Sequence, residues 1–272
     1  MVTIKSFAIA SIIYATQLVL GQGSSVLPPK APTTSDPVAM TIINQAIITL
    51  GGRALWMQFG GATAQALISH PGGSSESVGW SDDWSTGQVR FRRDRSSKDN
   101  RTFSLISSDA FQTRLLPDGK AVRTFHDNDI AALAIGYPGA ALALSLTSRY
   151  TCTFNFGQLA GPRFEVFTQS PNSVLITEFC LDPLYPNGEV PLVWEFPKSG
   201  GAPLAVALPI WGIMSHTLRA QTIMFTAFQR TNGLVIPSQL QIRRPSGVVD
   251  SVTISGTTLS SQLPTSLFAV SN

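Results

Sequence analysis

The sequence predicts a mainly β domain with a few helices. Three observations predict it. Polar and apolar residues alternate with a period of two in one segment after another between residues 88 and 255, with turn residues between the segments. A single strongly one-sided helical stripe precedes them. The 43% hydrophobic fraction is that of a globular chain, and only 13% of residues are charged.

Residues 1–23 read as a secretory signal peptide. Lys5 is followed by an apolar run from Phe7 to Leu20, and small residues stand where cleavage would fall. The run is shorter than the about 20 apolar residues that span a bilayer. Leu18-Val19-Leu20-Gly21 matches a lipoprotein signal until its last position, where Gln22 replaces the Cys that a lipid needs. The expectation is an exported protein, periplasmic or extracellular. Residues 24–35 form a Pro/Ser/Thr-rich tether, and residues 36–272 are a single domain.

The helix opens that domain. Asp36 is a natural N-cap and Pro37 suits the first helical position. Ala39, Ile42, Ile43, Ala46, Ile47 and Leu50 make one apolar stripe, and Gly51-Gly52 ends it. The stripe is expected to lie on a sheet. Strands follow at 88–92 and 102–105, with turns at Pro71-Gly72-Gly73, Asp82-Asp83 and Pro117-Asp118-Gly119. Two Ala/Leu-rich helical pieces, through Ile130–Ile135 and Ala140–Leu146, flank Gly136-Tyr137-Pro138-Gly139. They are expected to be buried on the sheet or to cover an opening, with the Gly/Pro segment as a hinge. Further strands are expected at 150–156, 163–168, 174–181, 191–196, 221–229, 234–243 and 248–255, the last two joined by a turn at Pro245-Ser246-Gly247.

Chemistry is sparse. There is no nucleophile elbow, phosphate loop or dinucleotide fingerprint, and neither an enzyme nor a cofactor is expected. None of His70, His126 and His216 has a second His at metal-ligand spacing. His126-Asp127-Asn128-Asp129 reads as a helix cap rather than a cation site. Asp82-Asp83 between Trp80 and Trp84 reads as a strand end on the core, with a sugar-stacking loop as the sharper alternative. Arg90, Arg92, Arg93, Arg95, Lys98 and Arg101 read as a solvated strand and turn. A net charge of +3 gives no nucleic-acid footprint. Asn100-Arg101-Thr102 is a formal glycosylation sequon. In a simple meander Cys152 and Cys180 would sit two strands apart, about 9–10 Å. A disulfide tolerates Cα separations up to about 7 Å, so the bond stays an open question.

The aromatic pattern is the most telling. Phe154 and Phe156 share a strand face, and Phe91, Phe103, Phe164, Trp194 and Phe225 are carried on other strands. These seven either fill a core or line an apolar cavity.

Phe179-Cys180-Leu181-Asp182-Pro183, Pro191-Leu192-Val193-Trp194-Glu195-Phe196, the stretch from Phe228 through Asn232-Gly233 to Pro237, and Leu263-Pro264-Thr265-Ser266-Leu267-Phe268 occur in a characteristic order. With the Asp36-Pro37…Leu50-Gly51-Gly52 helix, this order resembles exported bacterial proteins of the LolA-type lipoprotein-carrier half-barrel superfamily, in a branch from environmental bacteria. The resemblance covers residues 36–52 and 175–270, and its motifs mark turns more than chemistry. It implies an antiparallel, incomplete (half-open) β-barrel with an N-terminal helix, a mid-chain helical lid and an apolar cavity. The ligand so implied is an acyl chain or lipoprotein, bound non-enzymatically by a monomer. The carriers' cavity arginine has no assigned counterpart here. The alternatives are a module that engages an envelope protein partner, as envelope-stress sensors do, and a structural filled barrel without ligand.

Overall fold

A computed structural model describes residues 34–87, 89–97, 102–108, 111–116, 118, 120–124, 129–147, 162–181, 189–212 and 217–269. Four helices and thirteen strands make up these segments. Helices α1 (Pro37–Thr49) and α2 (Arg53–Gln58) come first. A meander follows: β1 (Gly61–Ser69), β2 (Ser75–Asp83), β3 (Arg90–Ser97), β4 (Thr102–Ser108), β5 (Phe111–Leu115) and β6 (Ala121–Thr124). Helices α3 (Asp129–Gly136) and α4 (Pro138–Ser145) come next. The second meander is β7 (Arg163–Gln169), β8 (Ser173–Leu181), β9 (Glu189–Pro197), β10 (Ala205–Gly212), β11 (Thr217–Thr231), β12 (Leu234–Arg243) and β13 (Val249–Ser260).

All thirteen strands join one antiparallel sheet in the order β6-β5-β4-β3-β2-β1-β13-β12-β11-β10-β9-β8-β7. The two meanders meet where β1 pairs with β13, Ala66 opposite Ile254. Among the described residues β6 and β7 are the two edges and do not pair with each other, so the sheet is an open half-barrel.

Helix α1 forms as its sequence dictates. The Asp36 carboxylate accepts from Val38 N at 2.7 Å, which satisfies one of the helix's orphan donors. Ala39, Ile43, Ala46 and Ile47 form its buried stripe, which lies against β7 and α4. Gly51 and Gly52 leave the helix with φ of 119° and 89°, a region open to glycine. Those two glycines let α2 begin at once, a short helix absent from the sequence expectation.

The helices occupy the inner face of the sheet. Ala62, Ala64 and Ala66 of β1 are small, and they share a single core cluster with α1, α3 and α4. Small side chains bring helix axes close to a sheet, as dense packing requires. The opposite, outer face is partly covered at one end by the C-terminal segment. There a 3-10 turn, Thr265–Phe268, seats Phe268 and Leu263 on Ile106.

Two expectations are corrected. Asp82-Asp83 is the end of β2 rather than a turn, and both carboxylates are buried. Trp80 and Trp84 are buried beside them, which is the strand end on the core that was expected and leaves no sugar-stacking loop. The arginines of β3 are not a solvated run. Arg90 and Arg93 pair with Asp83 and Asp82 across the β2–β3 ladder at 3.2 and 2.6 Å. The expected strand at 150–156, Lys98, Arg101 and His126 lie outside the described residues.

Candidate functional site

The site is the inner face and the helices seated in it. Helix α4 has no charged residue, and all eight of its residues are buried. It follows α3 after one residue, Tyr137, with Pro138 at its start. The tyrosine ring is 1% exposed and lies 5.7 Å from Trp84, which in turn lies 6.4 Å from Trp56. A Cβ at Gly139 would come within 2.3 Å of the Trp56 indole nitrogen. That nitrogen donates to Leu50 O at 3.1 Å. The Gly136–Gly139 segment expected as a hinge is therefore a tightly packed joint, in which glycine admits a tryptophan.

Two buried acids mark this face. Glu178 on β8 is fully buried. It accepts from Ser145 Oγ of α4 at 2.6 Å and from Trp194 Nε1 of β9 at 2.7 Å. Burial raises its pKa to about 7, and the two hydrogen bonds oppose that rise. This trio ties the last turn of α4 to the sheet. Asp82 is also fully buried, and burial raises its pKa against the opposing pull of Arg93. Burial and the Asp82 charge push the Tyr137 phenol upward, so it stays neutral. Neither Tyr137 Oη nor Asp82 Oδ2 has a hydrogen-bond partner among the described residues. Arg93 lies over the rings of Trp80 and Phe91, 5.0 and 5.2 Å from their centroids.

At one end of the helices lies a cleft of about 350 Å³, bounded by Arg53, Met57, Gly60, Trp84, Ser85, Gly87, Leu144 and Thr147. Arg53 Nη2 donates to Leu146 O at 2.9 Å, just beyond the end of α4. At the other end of β1, His70 Nδ1 and Asp250 Oδ1 are 2.8 Å apart, and Arg244 holds the second Asp250 oxygen at 2.6 Å. Among the described residues, no group of three His, Cys, Asp or Glu side chains could hold a metal ion, and no helix is long and apolar enough to cross a membrane.

The predicted lining residues fall out as follows. Phe164, Trp194 and Phe225 are buried in the single core cluster that includes α4. Phe91 is buried on β3, opposite Asp82. Phe103 lies on β4, opposite Arg95. Phe154 and Phe156 lie outside the described residues, as does Cys152, while Cys180 sits on β8 opposite Val190. Sequence reasoning missed Glu178, Asp82 and Arg93 as partners in the site. For Glu178 a signal existed: Val174, Ile176 and Glu178 share one face of a strand, and an acid at the third inward position breaks the apolar pattern.

An open antiparallel sheet with an apolar helical pair seated on its inner face defines the half-barrel fold. Solved structures are similar to it over most of its length. A DUF1329 family protein from Desulfovibrio piger matches with a TM-score of 0.51 at 11% identity, covering 86% of this chain and 98% of that one. A LolA superfamily protein from Nitrosomonas europaea matches with a TM-score of 0.49 at 12% identity, covering 85% and 97%. A putative outer membrane lipoprotein-sorting protein domain from Vibrio parahaemolyticus matches with a TM-score of 0.49 at 12% identity, covering 83% and 97%. At these identities the likeness is one of fold. No family model and no curated protein matches the chain.

Proposed function

We propose that this chain is an exported, non-enzymatic protein that binds an apolar, acyl-bearing ligand, a lipid or the acyl chain of a lipoprotein, on the inner face of its half-barrel. The observation that carries the proposal is α4. An uncharged helix with every residue buried fills the hollow of a sheet whose edges, β6 and β7, never meet. Helices rather than a closed hydrogen-bond ladder complete this interior. Their displacement would open apolar surface lined by Phe164, Trp194 and Phe225 without breaking a strand pair. Phe91, Phe103, Phe154 and Phe156 are proposed to extend that lining. Arg93, on the inner face over Trp80 and Phe91 and paired with Asp82, is proposed as the cavity arginine that the carriers' pattern calls for.

The competing reading is a filled structural barrel. It is favoured by the tight packing of Trp56 against Gly139 and by the burial of Ile130, Leu133 and Leu142. Titration of the purified chain with a dansyl-labelled fatty acid separates the two. Saturable uptake that unlabelled fatty acid reverses supports the carrier reading. Fluorescence that never rises above the level of a control globular protein supports the filled barrel. Capture of a single envelope protein with no lipid would instead favour a protein-interaction module.

A further inference from the structure

We infer that the cleft at the end of α4 seats a single anionic head group carried on an apolar chain, with Arg53 as its counter-ion. The inference rests on the acyl-binding reading and names the part of the ligand that reading leaves open.

The cleft lining is mixed in character. Met57, Trp84 and Leu144 are its apolar lining residues, and Arg53, Ser85 and Thr147 its polar ones. Trp84 and Leu144 are each 1% exposed, so the apolar lining is continuous with the core rather than a surface patch. Its volume of about 350 Å³ stands near the lower end of the about 300–1,000 Å³ typical of small-molecule sites. That space suits a head group and the first part of a chain, whose remainder would lie under the helices.

The charge on the polar lining is positive. Arg53 pairs with no carboxylate among the described residues, and its Nη2 is held by Leu146 O at 2.9 Å. Asp83, two residues before Ser85 of the cleft lining, is already engaged. It takes Arg90 at 3.2 Å and Ser85 Oγ at 2.8 Å, and Leu263 N donates to its second oxygen at 2.8 Å. The carbonyl end of α4 opposes an anion, but it carries only about half a unit charge against the full charge of Arg53. A guanidinium presents five donors in a planar fork, so one bond to Leu146 O leaves others to face a carboxylate or phosphate. The Ser85 and Thr147 hydroxyls donate to Asp83 Oδ1 and Leu144 O at 2.8 and 2.7 Å, so the anion's donors on this lining come from Arg53.

The test is calorimetric titration of the full chain with dodecanoate, dodecyl phosphate, dodecanol and inorganic phosphate, each below its micelle concentration. Dodecanoate and dodecyl phosphate are expected to bind about two- to fivefold more tightly than dodecanol, the scale of one partly exposed charge pair. Arg53→Gln is expected to erase that preference while leaving dodecanol binding unchanged, and Arg53→Lys to keep most of it. A thermal melt of each variant confirms folding. Equal binding of dodecanol and dodecanoate, or an unaltered preference in Arg53→Gln, overturns the head-group inference and leaves the acyl-binding reading standing. Inorganic phosphate binding as tightly as dodecyl phosphate overturns the amphiphile assignment in favour of a plain anion site. Failure of all three chain-bearing probes overturns the acyl-binding reading and this inference with it.

Discussion

Glu178 makes the protein less stable as pH rises through neutrality. Its carboxyl is fully buried, faces two neutral donors, and has a pKa raised from 4.5 to about 7. The folded state therefore holds a proton that the unfolded chain releases. Stability from this group is fully present below pH 4.5 and declines as pH climbs through 7. Between pH 5 and pH 7 the loss is on the order of 2 kcal/mol from this residue alone. Glu195, on the opposite face with a pKa also raised to about 7, adds a decline of the same sign. Glu178→Gln isolates the first contribution. A glutamine can accept from Trp194 Nε1 and donate to Ser145 Oγ, which reproduces the protonated acid's hydrogen bonds. Urea unfolding at pH 5, 6, 7 and 8 reads the result. The wild-type free energy of unfolding should fall across the series. Glu178→Gln should lose part of that fall, and the Glu178→Gln/Glu195→Gln pair most of it. A Glu178→Gln variant with the full wild-type slope would refute the reasoning, because the group would then titrate alike in both states.

Three further changes probe the same interior. Gly139→Ala forces a methyl group against Trp56 and is expected to cost about 1–3 kcal/mol, read by urea midpoint; an unchanged midpoint would mean that the indole gives way. Arg93→Met leaves Asp82 buried without its cation and should cost about 3–5 kcal/mol. The double change Asp82→Asn/Arg93→Met should recover much of that loss, and a double mutant no better than the single would count against the pair. Phe268→Ala removes the ring beneath Arg90, 5.1 Å from its centroid, and part of the cluster with Ile106 and Leu263. It should lower stability by about 3 kcal/mol, and a loss below about 1 kcal/mol would show that the C-terminal turn is not anchored there.

Helix α1 and the β12–β13 hairpin were legible because each obeys a local rule. A cap, a stripe and two glycines bound the helix, and alternation with a Pro-Ser-Gly turn bounds the hairpin. Strands β1 and β2 were not legible. Ala62, Ala64 and Ala66 carry little β signal; they are small because helices must come close, a demand from elsewhere in the chain. The charge run of β3 misled for the same reason. Arg90 and Arg92 lie on one face and Arg93 and Arg95 on the other, and the partners of Arg93 and Arg90, Asp82 and Asp83, lie across a register that no local pattern reveals. Strand β10 escaped because Ala205–Gly212 is nearly all apolar, without the alternation of a half-buried strand. The two helical pieces at mid-chain were legible as helices, but their complete burial depends on the sheet that surrounds them.

The central claim is that the inner face of this half-barrel holds an acyl-bearing ligand. Native mass spectrometry of the chain, produced in an exporting host and purified without detergent, tests it most directly when followed by organic extraction. The account predicts a species heavier than the polypeptide, whose excess mass extracts as an acyl-bearing lipid. A bare polypeptide mass, in a sample that also takes up no fluorescent fatty acid, would contradict it and leave a filled barrel.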